Sequence, residues 1–331
     1  MQFSRLYVLD GARGIAAFCI LLFHVVPRSP FSNLYIAVDF FFVLSGFVLA
    51  TSVSRINSLL SARKFISARF LRIFPMALAV YVYTACYDLL IILKHWILDE
   101  PQTPVIILNI PTLIVSFLMI QVFYEPAQWV NYPIWSLSAE WLTNIFVAMI
   151  RVFTAKGKYI SILIGVCFVC ASPAIESEAV NQIGRALLGF SAGLIAFEFR
   201  ALFLKHQKIT VTIFLSLVPV YFFIQDLGEL SSLVTVWSFA AGIIFLSQVN
   251  TTSSASRIYS KVGKYSYGFY MWHFPMLSLA GILIKAMGLN VATFFGTLLL
   301  IVLGSILSII TTKISLVFFE QPIRKKWVNK L

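Results

Sequence analysis

Ten apolar runs, each near the roughly twenty residues a helix needs to cross a bilayer, fix the solvent in which this 331-residue chain folds. They fall near 7–26, 35–53, 73–95, 134–152, 159–175, 183–199, 209–225, 231–248, 266–287 and 291–316. With 60% hydrophobic and 11% charged residues, the chain cannot cover a soluble core with a polar surface. The expected fold is an all-α integral membrane protein with about ten transmembrane helices, forming a single polytopic membrane domain over 1–331. The first run is expected to stay in the mature chain, because Arg13 interrupts its start and no small-residue cleavage site closes it. No repeat, soluble domain or low-complexity linker stands out.

An eleventh apolar run, 105–124, contains Asn109 and Pro111, and loop charge decides its place. If it does not cross and both termini are cytoplasmic, the cytoplasmic loops collect Arg55, Arg63, Lys64, Arg69, Arg72, Arg151, Lys156, Lys158, Arg200, Lys205, Lys208, Arg257, Lys261 and Lys264. Arg324, Lys325, Lys326 and Lys330 then form a basic cytoplasmic tail. The opposite face collects Asp99, Glu100, Glu125, Glu176, Glu178, Asp226 and Glu229, and is left with Arg28, Arg185 and Lys285 as cations, with Lys94 at its border. Letting 105–124 cross would invert every later loop and break the positive-inside rule repeatedly. This segment is therefore expected to be re-entrant or surface-lying on the outer face. The net charge of +12 then reflects topology and lipid headgroup contact, and no nucleic-acid partner is expected. Cys19, Cys86, Cys167 and Cys170 lie in apolar stretches, where a thiol behaves as a small hydrophobe, and no metal site is expected.

The stretch "LDGARGIAAFCILLFHVV" carries ionisable groups that cost roughly 2.5–3.5 kcal/mol each in hydrocarbon. Arg13 and His24 are eleven residues apart, three helical turns with about 20° left over, so both project from one face about 16 Å apart. A snorkelling arginine and a hydrogen-bonded core histidine would account for each singly. Their alignment favours a lined passage. Asp39, opening the second run, is expected at the depth of His24, and Glu140 two turns into the fourth, with Ser136, Ser138 and Asn144 nearby. A carboxylate beside an imidazole orients it and stabilises its protonated form when it acts as general base. Arg69 and Arg72, three residues apart before Pro75, form a fork suited to phosphates or to anchoring at lipid headgroups. His273, beside Trp272 and Pro275, reads as a packed, hydrogen-bonded histidine.

Six motifs, "LDGARGIAAFCILLFH", "VDFFFVLSGF", "RFLRIFP", "WSLSAEW", "YSYGFYMWHFP" and "FFEQPIRK", occur in the order and approximate spacing of the acyltransferase 3 family of membrane O-acyltransferases, which the whole chain resembles. The resemblance implies transfer of an acyl group, most often acetyl, from cytoplasmic acyl-CoA to a hydroxyl of an extracytoplasmic sugar, lipid-linked glycan or polysaccharide. It implies a bacterial cytoplasmic membrane, with membrane lipids as surroundings. Arg13 and His24 match the family's functional pair, Arg69 and Arg72 its basic motif, and Glu140 the carboxylate of its Trp-Ser-Leu motif. Ala12 stands where relatives often carry a larger residue, and Trp141 where they carry a second acid, so two adjacent carboxylates are not expected to act here. The chain is expected to be a stand-alone transferase without the fused esterase-like domain of some members.

Taken together, these readings give Arg13, Arg69 and Arg72 to the donor's phosphates, His24 to base or nucleophilic catalysis, and Glu140, with Asp39 second, to orienting the imidazole. The rival expectation is a transporter or flippase for a lipid-linked or anionic substrate, which also needs inward-facing ionisable groups.

Overall fold

The computed structural model describes residues 6–26, 31–98, 107–128, 130–205, 230–249 and 253–328, and among these there is no strand. In order, the helices are α1 (Tyr7–Val25), α2 (Ala37–Ser54), α3 (Leu59–Leu98), α4 (Ile110–Leu118), α5 (Glu125–Gln128), α6 (Ile134–Phe153) and α7 (Gly157–Ile175). They continue with α8 (Glu178–Lys205), α9 (Ser232–Leu246), α10 (Ser253–Ala286), α11 (Phe294–Ser315), a π-helical turn at Leu316–Glu320 and α12 (Gln321–Val328). Seven of the described helices are long and apolar enough to cross a membrane, and they coincide with seven of the ten expected runs. The runs at 134–152 and 231–248 coincide with α6, diluted by Ser136, Ser138, Glu140, Asn144 and Arg151, and with the fifteen-residue α9. The run at 209–225 lies outside the described residues.

Helices outrun the hydropathy that announces them. α3 begins at Leu59, fourteen residues before its apolar run, and its 40 residues reach about 60 Å, twice the hydrocarbon thickness. Arg69 and Arg72 thus belong to a helix rather than to a loop, and the helix continues through Pro75. The early turns of α10 likewise precede its apolar run.

The chain forms two compact units, the first made of 1–66 and 143–270, the second of 67–142 and 271–331. In the first unit, α8 packs against α2 and α7 at backbone distance. A Cβ on Gly46 would lie 1.9 Å from the Phe190 carbonyl oxygen, and one on Gly193 2.0 Å from that of Val43. Gly165 and Gly184 bring α7 and α8 together in the same way. Small residues are what hold helices together where lipid removes the hydrophobic drive between them. At one end of this packing, Ala50, Val53, Val147, Ala148, Phe190 and Leu194 form a buried apolar cluster.

In the second unit the segment around 105–124 is no single span. Its described part holds the nine-residue α4, about 14 Å long, then a 3₁₀ turn at Gln121–Phe123 and α5. Asn109 caps α4 by accepting from the Thr112 N–H at 2.9 Å, Pro111 sits in its first turn, and Met119 ends it in the left-handed conformation at φ 57°. Irregular backbone at membrane depth must find internal partners. The buried Asp88 carboxylate of α3 accepts from the Ile107 and Leu108 amides at 2.7 and 3.0 Å, and the Ser138 hydroxyl accepts from the Val122 amide at 3.2 Å. Gln121 Nε2 donates to the Tyr81 hydroxyl, and Asn131 Nδ2 to the Met271 carbonyl.

The close approach at glycine gives a direct test. Gly193→Leu should destabilise the detergent-purified protein by about 1–3 kcal/mol or more, since Val43 backbone cannot withdraw. Gly281→Ala in α10, where an added Cβ meets nothing within 4 Å, should be neutral or slightly stabilising. Equal melting temperatures for Gly193→Leu and wild type would refute backbone-to-backbone packing of α2 and α8.

Candidate active site

In the first unit α1 is unbroken from Tyr7 to Val25, so Arg13 and His24 do share one face. The Arg13 guanidinium lies 3.5 Å from the Asp10 carboxylate, one turn earlier. Asp10 in turn packs closely on Gly263, where a Cβ would come within 2.4 Å of its own Cβ. His24 is half-buried and meets the Phe23 ring edge-on at 5.1 Å. Phe23 leads to a polar cluster: its ring is 6.1 Å from that of Tyr35, whose hydroxyl hydrogen-bonds Ser231 Oγ at 2.7 Å. The Arg185 guanidinium lies 5.5 Å from the Tyr35 ring centre and donates from Nε to Asp39 Oδ1 at 3.0 Å. Thr235 Oγ1 donates to the other Asp39 oxygen at 3.5 Å.

Asp39 is completely buried in the first turn of α2, where the helix dipole also favours its negative charge. Its two oxygens are engaged by Arg185 and Thr235, so the carboxylate holds a guanidinium. Arg185, counted from loop charge among the outer-face cations, is buried on α8 as the counter-ion of Asp39. No sequence period links positions 39 and 185.

In the second unit Arg69 and Arg72 project from adjacent turns of α3, and each meets a carboxylate from a distant motif. Arg69 Nη2 donates to Glu140 Oε1 on α6 at 2.7 Å, while its buried Nε–H finds no acceptor among the described residues. Arg72 Nη1 donates to Glu320 Oε1 at 2.8 Å, and Arg324 Nη1 donates to the same oxygen at 3.1 Å. Glu320 ends the π-helical turn, which places a 96%-buried acid between two arginines. Sequence reasoning gives Glu320 no role although the motif "FFEQPIRK" contains it; its signal is an acid beside Gln321–Pro322 at the foot of an apolar helix. Trp272 Nε1 donates to Ser315 Oγ at 2.9 Å beside fully buried His273, within the packed interior of the same unit.

Of the expected site residues, Arg13, His24 and Asp39 belong to the first unit and Arg69, Arg72 and Glu140 to the second. Arg69 and Glu140 are joined directly. A guanidinium has five N–H donors, so Arg69 and Arg72 can each hold a carboxylate and still present donors to an oxyanion. An imidazole that is half-buried on a helix face can accept a proton or form a covalent bond at nitrogen.

The Asp39–Arg185 pair predicts a charge-specific loss of stability. Asp39→Asn leaves a buried guanidinium without its counter-ion and should cost about 3–5 kcal/mol in thermal unfolding. Asp39→Asn combined with Arg185→Gln should recover much of that loss, because the stranded charge is gone. Strictly additive losses would show that the two residues act independently.

Comparison with known proteins agrees with the motifs. The family described as "Acyltransferase domain", acyltransferase 3, matches residues 6–313. A "Putative acetyltransferase" of Acidianus two-tailed virus is 23% identical over 302 residues, covering 85% of this chain and 86% of that protein. A "Putative O-acetyltransferase" of Staphylococcus aureus (strain COL) is 22% identical over 98% of this chain and 58% of its own length. "Protein 2 in picA locus" of Rhizobium radiobacter is 38% identical over 89 residues, 25% of this chain and 46% of that protein. The chain thus spans about half the length of two of these curated relatives. No solved structure matches. A chain that is all-helical among its described residues, with at least seven helices able to cross a membrane, matched over 6–313 and carrying the six motifs in order, is an integral membrane protein that belongs to the acyltransferase 3 family.

Proposed function

We propose that the protein is a membrane O-acyltransferase that takes an acyl group, acetyl being the simplest, from cytoplasmic acyl-CoA. The acceptor is a hydroxyl of a sugar, lipid-linked glycan or polysaccharide on the far side of a bacterial cytoplasmic membrane. The observation that carries this reading is the alignment of Arg13 and His24 on one face of unbroken α1, about 16 Å apart, in a chain of this family. That separation is of the order of an extended pantetheine arm, which joins an anionic nucleotide to a reactive thioester. The relatives named as acetyltransferases support the choice of group.

In this reading Arg13, Arg69 and Arg72 are the partners of the donor's phosphates, and the thioester carbonyl is brought to His24. His24 then removes the acceptor hydroxyl proton while oxygen attacks the carbonyl carbon. The C–S bond breaks, and the leaving thiolate takes the proton from the imidazolium. In the two-step route the imidazole nitrogen attacks first and the C–S bond breaks, the thiolate taking the proton of the other ring nitrogen to leave a neutral acyl-imidazole; the hydroxyl oxygen then displaces nitrogen, and its proton passes to the released imidazole. Glu140 and Asp39 remain the site's carboxylates, but their contacts favour holding arginines: Glu140 fixes Arg69, and Asp39 fixes Arg185 against Tyr35.

The same reading sets topology: about ten spans, both termini cytoplasmic and 105–124 on the outer face. Reporters fused at Arg63 and Lys205 should read cytoplasmic, and those at Glu100 and Glu178 external; a cytoplasmic signal at Glu178 would overturn this orientation.

His24 gives the chemical test. His24→Ala should retain acyl-CoA binding while transfer by membranes with equal folded protein falls by roughly 10²–10⁴-fold. His24→Gln, which keeps a hydrogen bond but cannot take the hydroxyl proton, should be equally inactive. Substantial acylated product from the Gln variant would remove His24 as base or nucleophile. Arg69→Ala with Arg72→Ala should instead weaken donor affinity, and wild-type affinity should fall as salt rises.

A further inference from the structure

The first unit contains a cavity of about 510 Å³ that acyl transfer at His24 leaves without a role. It is formed where α2 and α8 near their C-terminal ends, α6 ends and α7 begins. Along α2, its lining residue Ser54 is fifteen residues from Asp39, about 22 Å along the axis, so it occupies the opposite end of the unit from the Asp39–Arg185 pair.

Its wall is divided by polarity. Ala50, Val53, Val147 and Leu194, buried members of the apolar cluster, give it a hydrocarbon floor, with the Phe197 ring beside them. Arg151, Lys158 and Arg200 give it a cationic rim against one carboxylate, Glu198. The three cations are held in place. Arg151 Nη2 donates to the Ser54 carbonyl at 3.2 Å, Lys158 pairs with Glu198, and Arg200 donates to the Phe197 carbonyl and stacks 3.7 Å from the Phe197 ring centre. Lys158 also lies in the first turn of α7, where the helix dipole adds positive potential.

We infer that this cavity is a binding site for a phosphate-bearing amphiphile, its phosphate on the Arg151–Lys158–Arg200 rim and its less polar body on the Val53–Val147–Leu194 floor. Fixed cations in excess of carboxylates select an anion, and arginine forks match phosphate geometry. Volume selects the body: the cavity is of ligand-pocket size, several times what a lone phosphate fills. A lipid headgroup with the start of its chains and a nucleotide carrying a pantetheine arm share this chemistry. The inference stands on this cavity alone and does not depend on acyl transfer or on His24.

The test is binding to the full chain purified in neutral detergent, with dioctanoyl phosphatidylglycerol, CoA and uncharged dioctanoylglycerol as probes. Two variants are compared with wild type: Arg151→Gln with Arg200→Gln, which removes rim charge, and Ala155→Glu, which keeps all three cations but adds a carboxylate at an exposed lining position. At least one phosphate-bearing probe should bind wild type and lose about tenfold or more in affinity in each folded variant. Loss confined to phosphatidylglycerol assigns the site to lipid, and loss confined to CoA assigns it to a nucleotide. If the double variant does not fold, Ala155→Glu decides by itself. No binding of either phosphate probe to wild type, affinities unchanged in the folded variants, or dioctanoylglycerol binding as tightly as phosphatidylglycerol would overturn the inference.

Discussion

An ionised group withdrawn from water needs a counter-charge, and that requirement organises the polar interior of this protein. Asp39 is fully buried against Arg185, Arg69 meets Glu140, and Glu320 lies between Arg72 and Arg324. The pairs join α2 to α8, α3 to α6, and α3 to the π-helical turn after α11. Buried pairs of this kind are poor sources of net stability, because desolvation offsets much of the attraction. Their effect is on register: once one partner is placed, any rotation of the other helix strands a charge. Apolar packing in lipid lacks that selectivity, and backbone approach through Gly46, Gly189 and Gly193 supplies proximity without fixing which polar groups meet.

The parts of the fold written in local order are legible in the sequence. Helical periodicity alone aligns Arg13 with His24, and runs of apolar residues locate the membrane-crossing portion of seven helices. Helix ends are less legible, because polar turns continue a helix without any hydropathic signal. α3 incorporates Lys64, Arg69 and Arg72 ahead of its apolar run for this reason. Around 105–124 the residues that make a spanning helix awkward, Asn109 and Pro111, are the cap and first turn of a short one.

Pairing across the fold is not legible in the same way. Asp39 and Arg185 are 146 residues apart, and Arg72 and Glu320 are 248 apart. Loop charge places Arg185 among the cations of one face but says nothing of its neighbour, since a rule about loops has no term for a cation drawn into the packed interior. The two carboxylates expected beside His24, Glu140 first and Asp39 second, illustrate the same gap: Glu140 pairs with Arg69. The Asp39 oxygens go to Arg185 and Thr235, and Arg185 faces the Tyr35 ring, which lies 6.1 Å from that of Phe23, the sequence neighbour of His24.

Arginine at both fork positions follows from these contacts. In the proposed donor-binding role, a group pinned by an acid inside the protein that also answers an oxyanion needs more donors than one interaction consumes. Arg69 spends an Nη2–H on Glu140 and retains a buried Nε–H with no acceptor among the described residues; Arg72 spends an Nη1–H on Glu320, which Arg324 also neutralises. A lysine could match either charge, but its ammonium is a compact point of charge without the planar fork that pairs bidentately with a carboxylate or phosphate. On that proposal the guanidinium separates the two tasks in space, so the donor's phosphate would be received without breaking the contact that joins the helices.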